Sequence, residues 1–126
     1  MGTNLSAGVA REIITPKLGI QLAGYPSDHP SDSVHDDLTA TAFLLESGQT
    51  KVLFLGLTII GVSNEYYLEL SKECGEAAGV PAKNVVISCV HTHSGPLYGG
   101  DDPFDYYGKI LKPKLISVSK TGPVCV

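Results

Sequence analysis

Residues 84–96 read Asn-Val-Val-Ile-Ser-Cys-Val-His-Thr-His-Ser-Gly-Pro, an apolar run that ends on two histidines one position apart. Val85, Val86, Ile87, Cys89 and Val90 show no helical period and are rich in β-branched side chains, the pattern of a buried strand. In extended chain, residues i and i+2 project to the same side. His91 and His93 are therefore expected to present two imidazoles together where Ser94-Gly95-Pro96 ends the ladder. Such a pair suits metal ligation or acid–base chemistry. A catalytic zinc usually takes about three protein ligands plus water, so the pair supplies at most part of a set. His29, His35, Asp36, Asp37, Asp101 and Asp102 are the residues that could complete it, although all lie in solvated acidic stretches. Ser94 is a possible nucleophile beside His93. Adjacent residues of an extended chain point apart, however, and its hydroxyl reads better as support for the turn.

Positioning these groups requires a sheet. Residues 8–15 alternate in part and stop at Pro16, consistent with a first strand; residues 38–47 and 51–62 read as two more, joined by Ser47-Gly48-Gln49-Thr50 as a hairpin. The second of these is apolar almost throughout, which predicts a central strand covered on both faces. Between it and the histidine strand, Tyr67, Leu70, Cys74 and Ala77 recur at helical steps over residues 65–78. Ser63 or Asn64 can cap that helix, and Gly79 with Pro81 can end it. Strand, helix and strand make a βαβ-like unit, which puts His91 and His93 at the carboxyl end of a strand, where ligand sites of α/β sheets gather. The fold class is thus α/β: a mixed sheet with flanking helices, containing a hairpin followed by a βαβ-like unit. Residues 26–37 (PSDHPSDSVHDD) are loop by their turn formers, and 97–103 an acidic loop. Residues 104–111 can form a short helix with Asp102 as cap. Residues 112–126 carry scattered lysines, two prolines and one short apolar run, and no regular element is predicted there.

The 126 residues suit a single domain. A net charge of -4 without a Lys/Arg cluster argues against nucleic acid as a partner. Neither a signal peptide nor a transmembrane segment is recognisable in the sequence, which leaves the compartment open. Cys74, Cys89 and Cys125 have no CxxC spacing; Cys74 and Cys89 read as buried free thiols. Other metallohydrolase patterns fail on inspection. HxHxDH would need Asp and His where Gly95 and Pro96 stand, the chain is too short for an amidohydrolase barrel, and there is no Walker-type phosphate loop.

The ordered series Ile14-Thr15-Pro16, Leu22-Ala23-Gly24-Tyr25, Val34-His35-Asp36 and His91-Thr92-His93-Ser94-Gly95-Pro96 resembles the N-terminal part of the neutral/alkaline, non-lysosomal ceramidases. The resemblance covers about residues 7–96 and implies a zinc-dependent amidohydrolase that splits the N-acyl bond of ceramide or a related lipid amide. By that resemblance His91 is a zinc ligand, and His93 is a catalytic neighbour that binds or polarises the amide. Members of the family are often secreted or membrane-associated. Two departures are visible. Thr58 stands where the family's central strand has Asp, and family enzymes are several times longer, drawing a further His, a Glu and a Tyr from sequence outside this chain. By the same resemblance the domain is an incomplete one, with a divergent tail over 109–126. The expectation is a form with weak or no activity alone, or alternatively a non-catalytic α/β module that binds a partner.

Overall fold

The computed structural model describes residues 4–26, 29–98 and 102–122 and the backbone of 124–125. The chain enters through β1 (Leu5–Ile13) and, after the loop, returns through β2 (Thr39–Ser47) and β3 (Thr50–Leu57). Gly48, at φ 59°, takes the left-handed position of the tight β2–β3 turn. Helix α1 (Asn64–Ala78) follows, then β4 (Val85–Cys89), helix α2 (Lys112–Ser119) and a two-residue β5 (Val124–Cys125). The sheet order is β4-β3-β2-β1-β5; all neighbours are antiparallel except β3 and β4, which run parallel around α1. This is the α/β class expected from the sequence, with its hairpin and its βαβ unit.

Local chemistry sets the ends of α1. Ser63, not Asn64, is the cap: its hydroxyl accepts from the Tyr66 N–H at 3.1 Å. Gly79, at φ 69°, closes the other end with its N–H on the Glu76 carbonyl. From α1, Leu70 and Cys74 point onto the sheet, where Ala40, Ala42 and Leu44 of β2 alternate inward with Leu53, Leu55 and Leu57 of β3. Each fully buried leucine stabilises the fold by about 1.5–3 kcal/mol. Cys74 is a buried thiol, and burial pushes its pKa up to about 11. Cys89 is only half-buried, and desolvation raises it less; the side chain of Cys125 lies outside the described residues.

Two expectations need correction. The first is that β3 would be covered on both faces. Its inward residues are buried, but on the other side of the pleat Phe54 is 39% exposed, in register with Phe43 of β2, Val9 of β1 and Val86 of β4 (37%, 63% and 43%). Apolar residues occupy both sides of this strand, yet among the described residues only one side has a layer packed on it.

The second correction concerns the C-terminal segment. The expected helix over 104–111 is a turn capped by Asp102, whose carboxylate accepts from the Phe104 and Tyr106 N–H groups at 2.9 and 2.7 Å, followed by a π-helical turn at Tyr107–Leu111. That turn runs directly into α2, for which no element was predicted. Pro113 obscured it, but sits in the first turn of α2, directly after the π-helical turn. Leu111, Leu115 and Val118 recur at steps of four and three and are all buried against the sheet and α1. Tyr106 is also buried, its hydroxyl donating to the Ile14 carbonyl at 2.7 Å. Hydrogen bonds from Lys112 and Tyr107 converge on Glu69 of α1 and hold its carboxyl below the usual carboxylate range.

Candidate active site

The histidine stretch is not extended where the sequence suggested. β4 ends at Cys89, and His91 adopts a positive φ of 64°, rare for a residue with a Cβ. Two backbone contacts hold the bend. The Val90 N–H donates to Leu57 and the His91 N–H to Ile59, each at 3.1 Å, so the chain stays zipped to the continuation of β3. The imidazoles nevertheless meet: the His91 and His93 ring centroids are 5.2 Å apart and perpendicular. What brings them together is the turn and its packing, not the alternation of a strand.

The His91 side chain is oriented from behind. Its Nδ1 lies 2.9 Å from the Ile60 carbonyl oxygen. A carbonyl can only accept, so Nδ1 carries the proton, and the neutral ring then keeps Nε2 as a bare lone pair. A backbone carbonyl on one ring nitrogen is the usual way a protein fixes a ligating histidine. His91 and His93 are both exposed.

His93 is placed by Gly24. That glycine sits at φ 80°, and a Cβ added to it would fall inside the His93 ring. Tyr25 meets the same ring edge-on at 6.3 Å and stacks with His29 at 6.5 Å. The loop carrying these residues is tied to the histidine turn by Ala23 N–H to Gly95 O (3.0 Å) and Leu97 N–H to Gln21 O (2.7 Å). Tyr98 adds a further tie, its hydroxyl donating to the Gly61 carbonyl at 2.6 Å; burial keeps that phenol protonated well above its ordinary pKa.

Thr92 and Ser94 line a cleft of about 620 Å³ whose other walls include Leu18, Ile20, Val34 and Leu38. Ser94 makes a backbone contact, its N–H donating to Thr92 Oγ1 at 3.1 Å. Thr58 also borders the cleft. Its hydroxyl accepts from the Thr39 N–H at 2.6 Å and donates to the Thr39 carbonyl at 3.2 Å, so it clamps the end of the β2–β3 ladder.

The other sequence candidates fall elsewhere. His35 Nδ1 pairs with Asp36 at 2.8 Å, with the two side chains 98% and 88% exposed on the cleft rim. Asp37 accepts from the Thr15 hydroxyl at 2.8 Å. Asp102 caps a turn, as above, His29 stacks on Tyr25, and Asp101 lies outside the described residues. Among the described residues, no group of three or more His, Cys, Asp or Glu side chains is arranged to hold a metal ion. The residues that sequence reasoning missed are those acting through the backbone: the Ile60 carbonyl, which leaves no trace in residue type, and Gly24, whose role shows only once its φ is known.

No family model matches the chain. Among solved structures, the neutral ceramidase from Pseudomonas aeruginosa superposes with a TM-score of 0.71 at 18% identity, over 95% of this chain and 21% of that one. A ceramidase complexed with C2 gives a TM-score of 0.70, also at 18% identity, over 94% of this chain and 20% of that one. This chain spans about a fifth of the length of those proteins. At 95% coverage the likeness also takes in much of the segment around α2. The chain therefore has the fold of one segment of neutral ceramidase.

Proposed function

We propose that this chain is a ceramidase-related segment that carries part of a zinc-dependent amide-hydrolysing centre, with a ceramide-like lipid amide as the substrate of the complete centre. The observation that supports the reading is the Nδ1 contact of His91 with the Ile60 carbonyl, which leaves Nε2 as the nitrogen that would ligate a metal. The residues present fit zinc as a partial donor set: His91 would hold the ion, with His93 beside it. A bound zinc would polarise the amide carbonyl and lower the pKa of its water toward neutrality. His93, kept in place by Gly24 and Tyr25, would donate a hydrogen bond to the oxyanion that develops on the substrate, or pass a proton to the leaving amine. With two imidazoles in place of a full set, the chain alone is expected to bind zinc weakly and to turn over little or no substrate.

The test is zinc content by elemental analysis after gel filtration in micromolar zinc, together with hydrolysis of a fluorescent N-acyl sphingosine with and without chelator. Zinc retained by the wild type and lost from His91→Ala supports the site. Zinc retained equally by both removes it. The second reading, a non-catalytic module that keeps the fold and binds a partner, is favoured by the incomplete donor set among the described residues. Absence of both metal and turnover selects it.

A further inference from the structure

Three successive carbonyls on the chain leaving β3 each accept a hydrogen bond from the histidine segment. Ile59 takes the His91 N–H at 3.1 Å, Ile60 takes His91 Nδ1 at 2.9 Å, and Gly61 takes the Tyr98 hydroxyl at 2.6 Å. The first two contacts come from the proposed ligand itself. The third comes from further along the same segment, from a side chain to which the proposed centre gives no part.

Gly61 is the residue at which that third contact matters. A glycine has the widest choice of backbone conformation and no side chain to anchor it. This one stands between the carbonyl behind the His91 ring and Ser63, the cap of α1. The Ile60 and Gly61 carbonyls belong to rigid peptide planes joined through the φ and ψ of Gly61 alone. Holding the second carbonyl therefore restrains the first.

Tyr98 is itself well held. Its ring stacks on Tyr66 of α1 at 6.1 Å, with the planes 5° apart, and meets the buried Tyr106 edge-on at 5.2 Å. Tyr66 stacks in turn on Tyr107 at 3.6 Å. The backbone beside Tyr98 is fixed as well, by the Leu97 N–H on the Gln21 carbonyl. Burial keeps the phenol protonated, so it remains a donor wherever the imidazoles are neutral.

The tautomer and orientation of a ligating histidine are set by the group behind it. We propose that Tyr98 is a positioning residue for His91: its hydroxyl fixes the Gly61 carbonyl, and through it the Ile60 carbonyl that keeps the His91 proton on Nδ1. The role rests on the reading of His91 as a zinc ligand, because a ligand is what needs its Nε2 aimed. Tyr98 acts through the backbone and is assigned no contact with metal or substrate.

The experiment compares the wild type with Tyr98→Phe and Tyr106→Phe in the full chain. Tyr98→Phe keeps the ring contacts and removes the hydroxyl. Tyr106→Phe removes a neighbouring phenol hydroxyl that holds the Ile14 carbonyl, and so controls for general loosening. Far-ultraviolet circular dichroism verifies the fold of each. Long-range proton–nitrogen NMR correlations of the metal-free proteins, taken above the titration range of histidine, read the His91 tautomer. The wild type and Tyr106→Phe are expected to hold the proton on Nδ1, and Tyr98→Phe to shift toward the tautomer mixture of the urea-unfolded chain. Zinc affinity, measured against a chromophoric chelator, should fall by roughly tenfold in Tyr98→Phe, the lower end of what outer-shell partners are worth. A folded Tyr98→Phe with the wild-type tautomer overturns the proposal. An equal shift in Tyr106→Phe overturns it as well, since the effect would then be loosening of the tyrosine cluster. A wild type that binds no zinc removes the metal reading, and the tautomer comparison then decides the role of Tyr98 unaided.

Discussion

His91 and His35 each make a hydrogen bond through Nδ1, at 2.9 and 2.8 Å, and the resemblance ends there. The partner of His91 is a backbone carbonyl on the chain leaving β3, 31 residues away, in a segment whose own N–H and C=O groups are tied to the sheet. The partner of His35 is the carboxylate of its neighbour Asp36, and both groups stand in water. A contact so open to water fixes neither side chain firmly. The contact of His91 crosses between two elements and cannot relax without moving one of them. A histidine acts as a ligand when its free nitrogen is aimed in advance, and that is the difference that bears on a metal.

That contrast can be broken most directly by deleting each ring. His91→Ala should lower zinc affinity by at least about a hundredfold in competition with a chromophoric chelator, because the ligand itself is removed. His35→Ala should leave it within about twofold. Equal losses would mean that orientation by the Ile60 carbonyl has no consequence.

Next in size is a pair of glycines, both at positive φ: Gly24 at 80° behind His93, and Gly19 at 93° near the rim loop. An alanine at either should cost about 1–2 kcal/mol for the left-handed backbone. At Gly24 the added methyl group also displaces the His93 ring, which adds about 1–3 kcal/mol. Urea denaturation midpoints read the difference, and imidazole NMR shifts of His93 should move only in Gly24→Ala.

Smaller again is Thr15→Ala. The Thr15 hydroxyl donates to Asp37 and accepts from the Leu38 N–H at 2.9 Å, tethering the rim loop to β2. Its loss should cost about 1 kcal/mol and raise amide exchange at Leu38, with the zinc affinity of the His91 turn unchanged. The smallest effect is expected from Ser94→Ala, within about 0.5 kcal/mol in stability as for an ordinary surface change, and neutral for zinc. A tenfold loss of any amide turnover in that variant would restore Ser94 as a nucleophile.

The legible part of this molecule is the part whose residues carry a period. The strands, the hairpin at Ser47–Thr50 and the capped helix α1 follow from alternation, glycine placement and a three- and four-residue apolar repeat. Helix α2 had the same kind of repeat in Leu111, Leu115 and Val118, hidden by Pro113 and by the lysines between them. The open face of β3 could not be read, because an apolar strand says what wants burial, not whether something is there to bury it. At the site, the proximity of His91 and His93 was legible, and the reason for it was not. A positive φ at a histidine and a carbonyl behind its ring are products of tertiary contacts, which residue types and spacing do not encode.

The hydroxyl of Tyr106 on the Ile14 carbonyl spans 92 residues, and α2 lies across β1 and β2, the first strands made. The hairpin and α1 can organise through local contacts, but the core over Ala40, Ala42 and Leu44 closes only when the last elements return. Such distant closures come late and slow the search for the native state. Until then the same leucines and alanines stay uncovered in a partly built sheet, a state prone to wrong partners. Helix α2 thus joins elements far apart in the sequence into one core, and Leu115→Ala, which truncates a fully buried side chain of that helix, should lower stability by about 2–5 kcal/mol in urea denaturation.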